Sequence, residues 1–224
     1  DRLQVTHFVR NDSDMLWSGG LWGLTCTVPT PTTTYLVPLS NRSTWDTASM
    51  VLFKLWGGHA GAYDDPQFIL TDDAVQIRSL GRENKRMFRA EAGLLALHDP
   101  ARDVLFVKQA AYRRGAHYPM GCNLACYTGP DSFMVELETM SPFATLNPGE
   151  TLEHVEYWQL SAAPAQAPTA ARLISILTRP PDVRPLLRPH PGAGRLPRAF
   201  FRRPHAAHPL ARPRQPHRGA HRLQ

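Results

Sequence analysis

The feature that most constrains this chain is its punctuation. Short stretches rich in Val, Leu, Thr, Phe and Tyr recur along it, and each is cut off by Gly, Pro, Asn or Asp. Asn11-Asp12-Ser13-Asp14, Gly57-Gly58, Asp64-Asp65-Pro66, Asp99-Pro100, Gly129-Pro130-Asp131 and Asn147-Pro148-Gly149 are turn chemistries. In them Pro presets φ, and Gly or Asn accepts positive φ. The pattern predicts strands near 3–10, 21–28, 33–39, 50–56, 67–70, 74–79, 85–89, 92–98, 103–112, 122–128, 132–139 and 151–160. Only 165–178 could form a short helix. Strands so closely spaced predict an all-β sandwich or barrel rather than βαβ units.

Alternation adds detail. In 132–139, Phe133, Val135 and Leu137 are expected on one face, with Met134, Glu136 and Glu138 on the other. In 151–160, Leu152, His154, Glu156, Trp158 and Leu160 share a face. Carboxylates, His and aromatics on one sheet face can make a binding surface, and the same pattern describes a solvated face.

Charge divides the chain at Thr178. Residues 1–178 hold 14 Lys+Arg against 18 Asp+Glu. Residues 179–224 hold 11 Arg, ten Pro and five His, with no Lys, Ser or Thr and one acid, Asp182. The net charge of +6 therefore belongs to the tail, and the body is mildly acidic. The domain reading is a β-sandwich over 1–160, a linker or short helix over 161–178, and a tail over 179–224. A G+C-rich coding region read out of frame yields this Arg/Pro/His bias, so the tail reads as a frameshift product or as disordered chain. A disordered Arg-rich arm for nucleic acid is the weaker reading.

Several classes drop out. No apolar run approaches the ~18 residues of a membrane-spanning helix, and no membrane partner is expected. Cys122 and Cys126, read as one strand, would lie roughly 13 Å apart on the same face, too far for a disulfide. There is no CxxC or paired Cys/His spacing, so no metal or other cofactor is expected. GGLWG and GGHAG lack the Lys-Ser/Thr of a phosphate loop, and no GxSxG occurs. N-x-S sequons at Asn11 and Asn41 arise too often by chance to establish secretion.

The most informative run is Val104 to Leu160, VLFVKQAAYRRGAHYPMGCNLACYTGPDSFMVELETMSPFATLNPGETLEHVEYWQL. It resembles the C-terminal half of galactose mutarotase-like proteins, the two-sheet supersandwich. It is closest to an uncharacterised carbohydrate-associated family there, whose members carry an LFVK strand, a YP…GCN turn, a strand ending ELET, then PGE. HFVRNDSD and LWGLTCTVP extend the likeness to roughly residues 3–160, leaving out the tail. The resemblance implies a supersandwich whose N-terminal portion this chain lacks. It also implies a sugar ligand on the concave face of the larger sheet, with epimerase- or mutarotase-like activity or non-catalytic binding.

Carried over residue by residue, Glu138 in VELETMSPFATLNPGE occupies the place of the general base that takes the anomeric proton. The acid of those enzymes is a His, and the matching stretch Gly19–Thr25 contains none, so His117 or Lys108 is the candidate substitute, although His117 reads first as a surface residue. Lys108 interrupts an apolar run and is expected at an edge or paired with a carboxylate, Glu138 or Glu136 being the sharper choice. Tyr118, Asn123 and Glu136 are candidates for binding sugar hydroxyls, although an Asn in such a turn more often satisfies backbone groups. Trp22, Trp56 and Trp158 are read first as core and second as sugar platforms. Arg82-Glu83-Asn84-Lys85-Arg86 is read first as a solvated hairpin turn and second as a site for a phosphate or an acidic sugar.

Overall fold

The structure, a computed structural model, describes residues 2–39, 48–176 and 187–188 of the 224. Asn41 and all of the tail except Leu187–Arg188 lie outside the described residues, and with them the tail's candidate nucleic-acid role.

Among the described residues, sixteen strands precede the helix. They are β1 (Arg2–Arg10), β2 (Trp17–Gly19), β3 (Trp22–Thr27), β4 (Thr34–Pro38), β5 (Ala48–Leu52), β6 (Leu55–Trp56), β7 (His59–Ala60) and β8 (Phe68–Leu70). Then come β9 (Ala74–Ile77), β10 (Asn84–Ala90), β11 (Leu94–Asp99), β12 (Val104–Ala110), β13 (Leu124–Thr128), β14 (Val135–Met140), β15 (Ala144–Leu146) and β16 (Thr151–Ser161). The one helix among the described residues, α1 (Ala170–Ile176), falls inside 165–178, the stretch that can form one. A last two-residue strand, β17 (Leu187–Arg188), pairs with Thr151 and Leu152 of β16.

The pairings are antiparallel throughout, so the fold is the all-β sandwich read from the sequence. One sheet runs β1-β16-β12-β11-β4-β9-β8, with β17 also on β16, and the other runs β3-β14-β13-β10-β5. Two small ladders, β15-β2 and β6-β7, complete the set; turn signals alone do not reveal the first.

The alternation works as pleat geometry requires. Val135 and Leu137 of β14, Leu124 and Cys126 of β13 and Phe88 of β10 face the larger sheet. There they meet Tyr35, Val37, Val75, Ile77, Leu95 and Leu97 in the main core. The opposite face of the five-stranded sheet carries the other set, and Met87, Ala125 and Met140 pack there with Cys122.

Three local expectations change. Phe133 does not join the core face, because Pro130–Ser132 forms a one-turn 3-10 helix that β14 follows, and the ring is left exposed. Cys122 likewise precedes β13, at the end of the Pro119–Gly121 turn, so it lies on the opposite side of the sheet from Cys126. Arg82–Arg86 is no solvated turn. Asn84, Lys85 and Arg86 are β10 residues; Asn84 bonds Asp65, and the Arg86 guanidinium sits 4.3 Å over the Phe68 ring.

The first sequon, at Asn11, is structural. Its amide donates to the carbonyls of Met15 and Leu146 and accepts from Ser13, which ties the β1 turn to β15.

Candidate functional site

The outer face of the five-stranded sheet brings together charged and aromatic side chains. Register fixes its rows. Leu24, Glu138, Ala125 and Met87 lie side by side across β3, β14, β13 and β10. Cys26, Glu136, Tyr127 and Lys85 form the next row.

Lys85 reaches diagonally, across the small Ala125, to Glu138 two strands away. Its ammonium stands 2.9 Å from each carboxylate oxygen. Trp22 donates its indole N–H to Glu138 Oε2 at 2.6 Å, and the Lys85 ammonium lies 4.9 Å from the Trp22 ring centroid. Glu138 is thereby sealed at 0% exposure, while Trp22 remains 40% exposed above it. Burial pushes the Glu138 carboxyl above its usual value, against the pull of Lys85 and the Trp22 hydrogen bond.

A second group adjoins Tyr127. Gly57 and Gly58 have φ of 49° and 90°, the double positive φ of a two-residue hairpin turn that other residues adopt poorly. That turn sets His59 opposite Trp56, with the rings stacked at 5.6 Å and 21°. Glu83 Oε1 accepts from the Tyr127 hydroxyl at 2.7 Å and lies 2.8 Å from His59 Nδ1. The Tyr127 hydrogen bond foremost holds the Glu83 carboxyl below its ordinary value. Trp56, Tyr127 and His59 thus form an aromatic wall beside the Lys85–Glu138 pair.

Glu136 differs from its neighbours. It is partly exposed, and among the described residues its one hydrogen-bond donor is the Cys26 thiol, at 3.8 Å.

The remaining candidates lie elsewhere. Lys108 pairs with Glu156, not with Glu138 or Glu136. β12 turns it inward, at 0% exposure, and its ammonium is 3.1 Å from Glu156 Oε1. It also donates to the Gly23 carbonyl, Thr25 Oγ1 and the Leu137 carbonyl at 3.0, 2.9 and 3.1 Å. His117 is on a loop against Phe143, at 5.4 Å between rings. Tyr118 is buried, stacked on Tyr112, and its hydroxyl accepts from the Arg113 amide. Asn123 spends its side chain on the backbone N–H and carbonyl of Ala90. Of the six candidates, only Glu138 and Glu136 share a face, and it belongs to the five-stranded sheet, the smaller of the two among the described residues. Sequence reasoning missed Lys85, His59 and Glu83. Lys85 and Glu83 fall in a segment that reads as a solvated turn, and His59 in a glycine-rich one.

Between the sheets lies a second polar cluster, anticipated only as a shared face of β16. Glu156 Oε1 accepts from Lys108 and Thr139, and Oε2 accepts from the Trp158 indole at 2.9 Å. His7 and His154 stand 3.4 and 3.8 Å from the same carboxylate. Gly23 permits this, since a Cβ there would collide with Glu156 Oε1. Burial lowers Lys108 and brings His154 down to about 4. For Glu156, burial pushes upward, but Lys108 and the hydrogen bonds leave the carboxyl below its usual value.

No family model matches the sequence, and no curated protein matches it either. Some solved structures are similar to the chain at low identity. A candidate aldose 1-epimerase from Escherichia coli K12 is 13% identical with a TM-score of 0.49, over 72% of this chain and 57% of that one. The Slr1438 protein from Synechocystis sp. PCC 6803 is 14% identical with a TM-score of 0.48, over 72% and 51%. A TPR-domain containing protein from Parabacteroides distasonis ATCC 8503 is 15% identical with a TM-score of 0.48, over 83% and 31%. This chain therefore spans between 31% and 57% of their lengths. These are likenesses of fold, and none of them says what this chain binds.

Proposed function

We propose that the outer face of the five-stranded sheet binds carbohydrate, as a recognition surface and not as a mutarotase. The observation that carries this is the half-exposed Trp22 on the same face as Glu136, Lys85, Tyr127 and His59. A pyranose presents an apolar C–H face to an aromatic ring and a rim of hydroxyls to carboxylates and amines. Trp22 and the Trp56 wall supply the first kind of contact, and Glu136 the second.

Ring opening asks for a base that is free to take the anomeric proton. Glu138 is occupied on both oxygens by Lys85 and on one by Trp22. Its arrangement supports holding Trp22 in place more than accepting a substrate proton. The test is a titration of the full chain with a panel of aldoses and hexose phosphates, read through the indole N–H signals of Trp22 and Trp56. Binding should move these signals, and Trp22→Ala should weaken it at least tenfold. No shift with any sugar in the panel overturns the reading.

A further inference from the structure

Resting on that reading, we infer that the ligand carries a cationic amine, as an amino sugar with a free amino group does, and that Glu136 selects it. Among the described residues the face holds three carboxylates whose situations differ. Glu138 is neutralised by Lys85 and closed to solvent. Glu83 takes its hydrogen bonds from Tyr127 and His59. Glu136 is the one that a ligand can reach and that no cation among the described residues serves, the Cys26 thiol being a weak donor at long range.

A partly buried carboxylate without a cation forgoes hydration and gains no ion pair in return, so a cation brought by a ligand has the largest effect there. The surroundings report the same negative field. The Cys26 thiol is pushed up by burial and then by Glu136 and Glu138. Aromatic surface is in place as well. Tyr127 is the cross-strand neighbour of Glu136, and Trp22 lies on β3 in the row beyond Glu138. An ammonium set on Glu136 gains a charge-assisted hydrogen bond. A neutral hexose keeps the stacking and offers Glu136 a hydroxyl donor only. An N-acetylated amine offers an uncharged N–H.

The experiment compares D-glucosamine, D-glucose and N-acetyl-D-glucosamine by calorimetry at pH 6, where the free amine is protonated. Glucosamine should bind roughly ten- to a hundredfold more tightly than the other two, the range of one charge-assisted hydrogen bond. Glu136→Gln should erase that difference between glucosamine and glucose, and Glu136→Asp should keep part of it. Equal affinities for the three sugars, or a preference that persists in Glu136→Gln, overturn the inference while the carbohydrate reading stands. If none of the three binds and the wider panel is silent, the reading of the face falls and the inference with it.

Discussion

Two Lys–Glu pairs sit on opposite sides of one sheet, and the same two residue types are held to different ends. Lys85–Glu138 lies on the outer face, under a single indole donor and a half-exposed ring. Lys108–Glu156 lies between the sheets, where Thr139 and Trp158 also donate to the carboxylate and three further acceptors bind the ammonium. Both carboxylates are buried, yet burial wins for Glu138 and raises it, while the denser set of donors wins for Glu156 and lowers it. A buried carboxylate is held as an anion by the number and placement of its donors, not by one cation alone.

The largest break in that comparison comes from Lys108→Met. It leaves a carboxylate with no cation in a sealed space, and removing one partner of a buried pair costs about 3–5 kcal/mol. Denaturant unfolding should show a loss of that size, and Lys108→Met with Glu156→Gln should recover part of it. A single-mutant loss below about 1 kcal/mol would show that the hydroxyl and indole donors suffice without the ammonium.

Acid should come next. His154 titrates in the folded chain at about 4, because burial disfavours its charged form. The unfolded chain takes up that proton near 6.5, its ordinary value. Between those two pH values the unfolded state therefore holds more protons, and stability falls as pH falls through the window. The loss should amount to about 3 kcal/mol at pH 4, and unfolding curves of His154→Gln should lack it. The outer pair works in the opposite sense. Glu138, raised in the fold, binds its proton before the unfolded chain does, so its own contribution grows slightly as the solution is acidified.

How much of this was legible in the residues follows from what each signal measures. Strand positions were, because turn residues and period-two alternation are local: twelve predicted stretches each contain a strand, and β16 presents the very face read from Leu152 to Leu160. Glu138 and Glu136 emerged together on one face for the same reason. Partnership was not legible, because it depends on which strands become neighbours. Lys108 reads as an edge residue or as the partner of Glu138 or Glu136, but β12 lies beside β16 and places Glu156 within reach. Lys85 was hidden inside a charged run, since a cation on β10 whose partner waits on β14 leaves no local trace. Gly23 gave no sign that its missing Cβ is what admits Glu156.

Lys85→Met sharpens the contrast with Lys108→Met at a smaller scale. Glu138 is already biased toward its neutral form, so it can take a proton where Glu156 would remain charged. The cost should be about 2 kcal/mol at pH 7, the range for a buried acceptor losing a charged donor, and should shrink as the pH is lowered. Unfolding at pH 7 and pH 5 measures both. A cost equal to that of Lys108→Met, or one that grows in acid, would mean that the two pairs are held alike.

The smallest effect should come from Glu138→Gln. The amide keeps the shape of the side chain and an oxygen for the Trp22 indole, and it gives up only the charge. Lys85 is less tightly confined than Lys108, with 15% of its side chain exposed, so its ammonium can turn toward water. Removing a charge that the fold disfavours, with a route to hydration for its partner, should cost about 1 kcal/mol or less. The equivalent change at the other pair, Glu156→Gln, strands an ammonium with no such route and should cost several times more. Thermal unfolding of the two variants side by side measures the ratio. Equal losses would show that Lys85 depends on its carboxylate as strongly as Lys108 does, and that Glu138 needs its charge for the outer face to hold together.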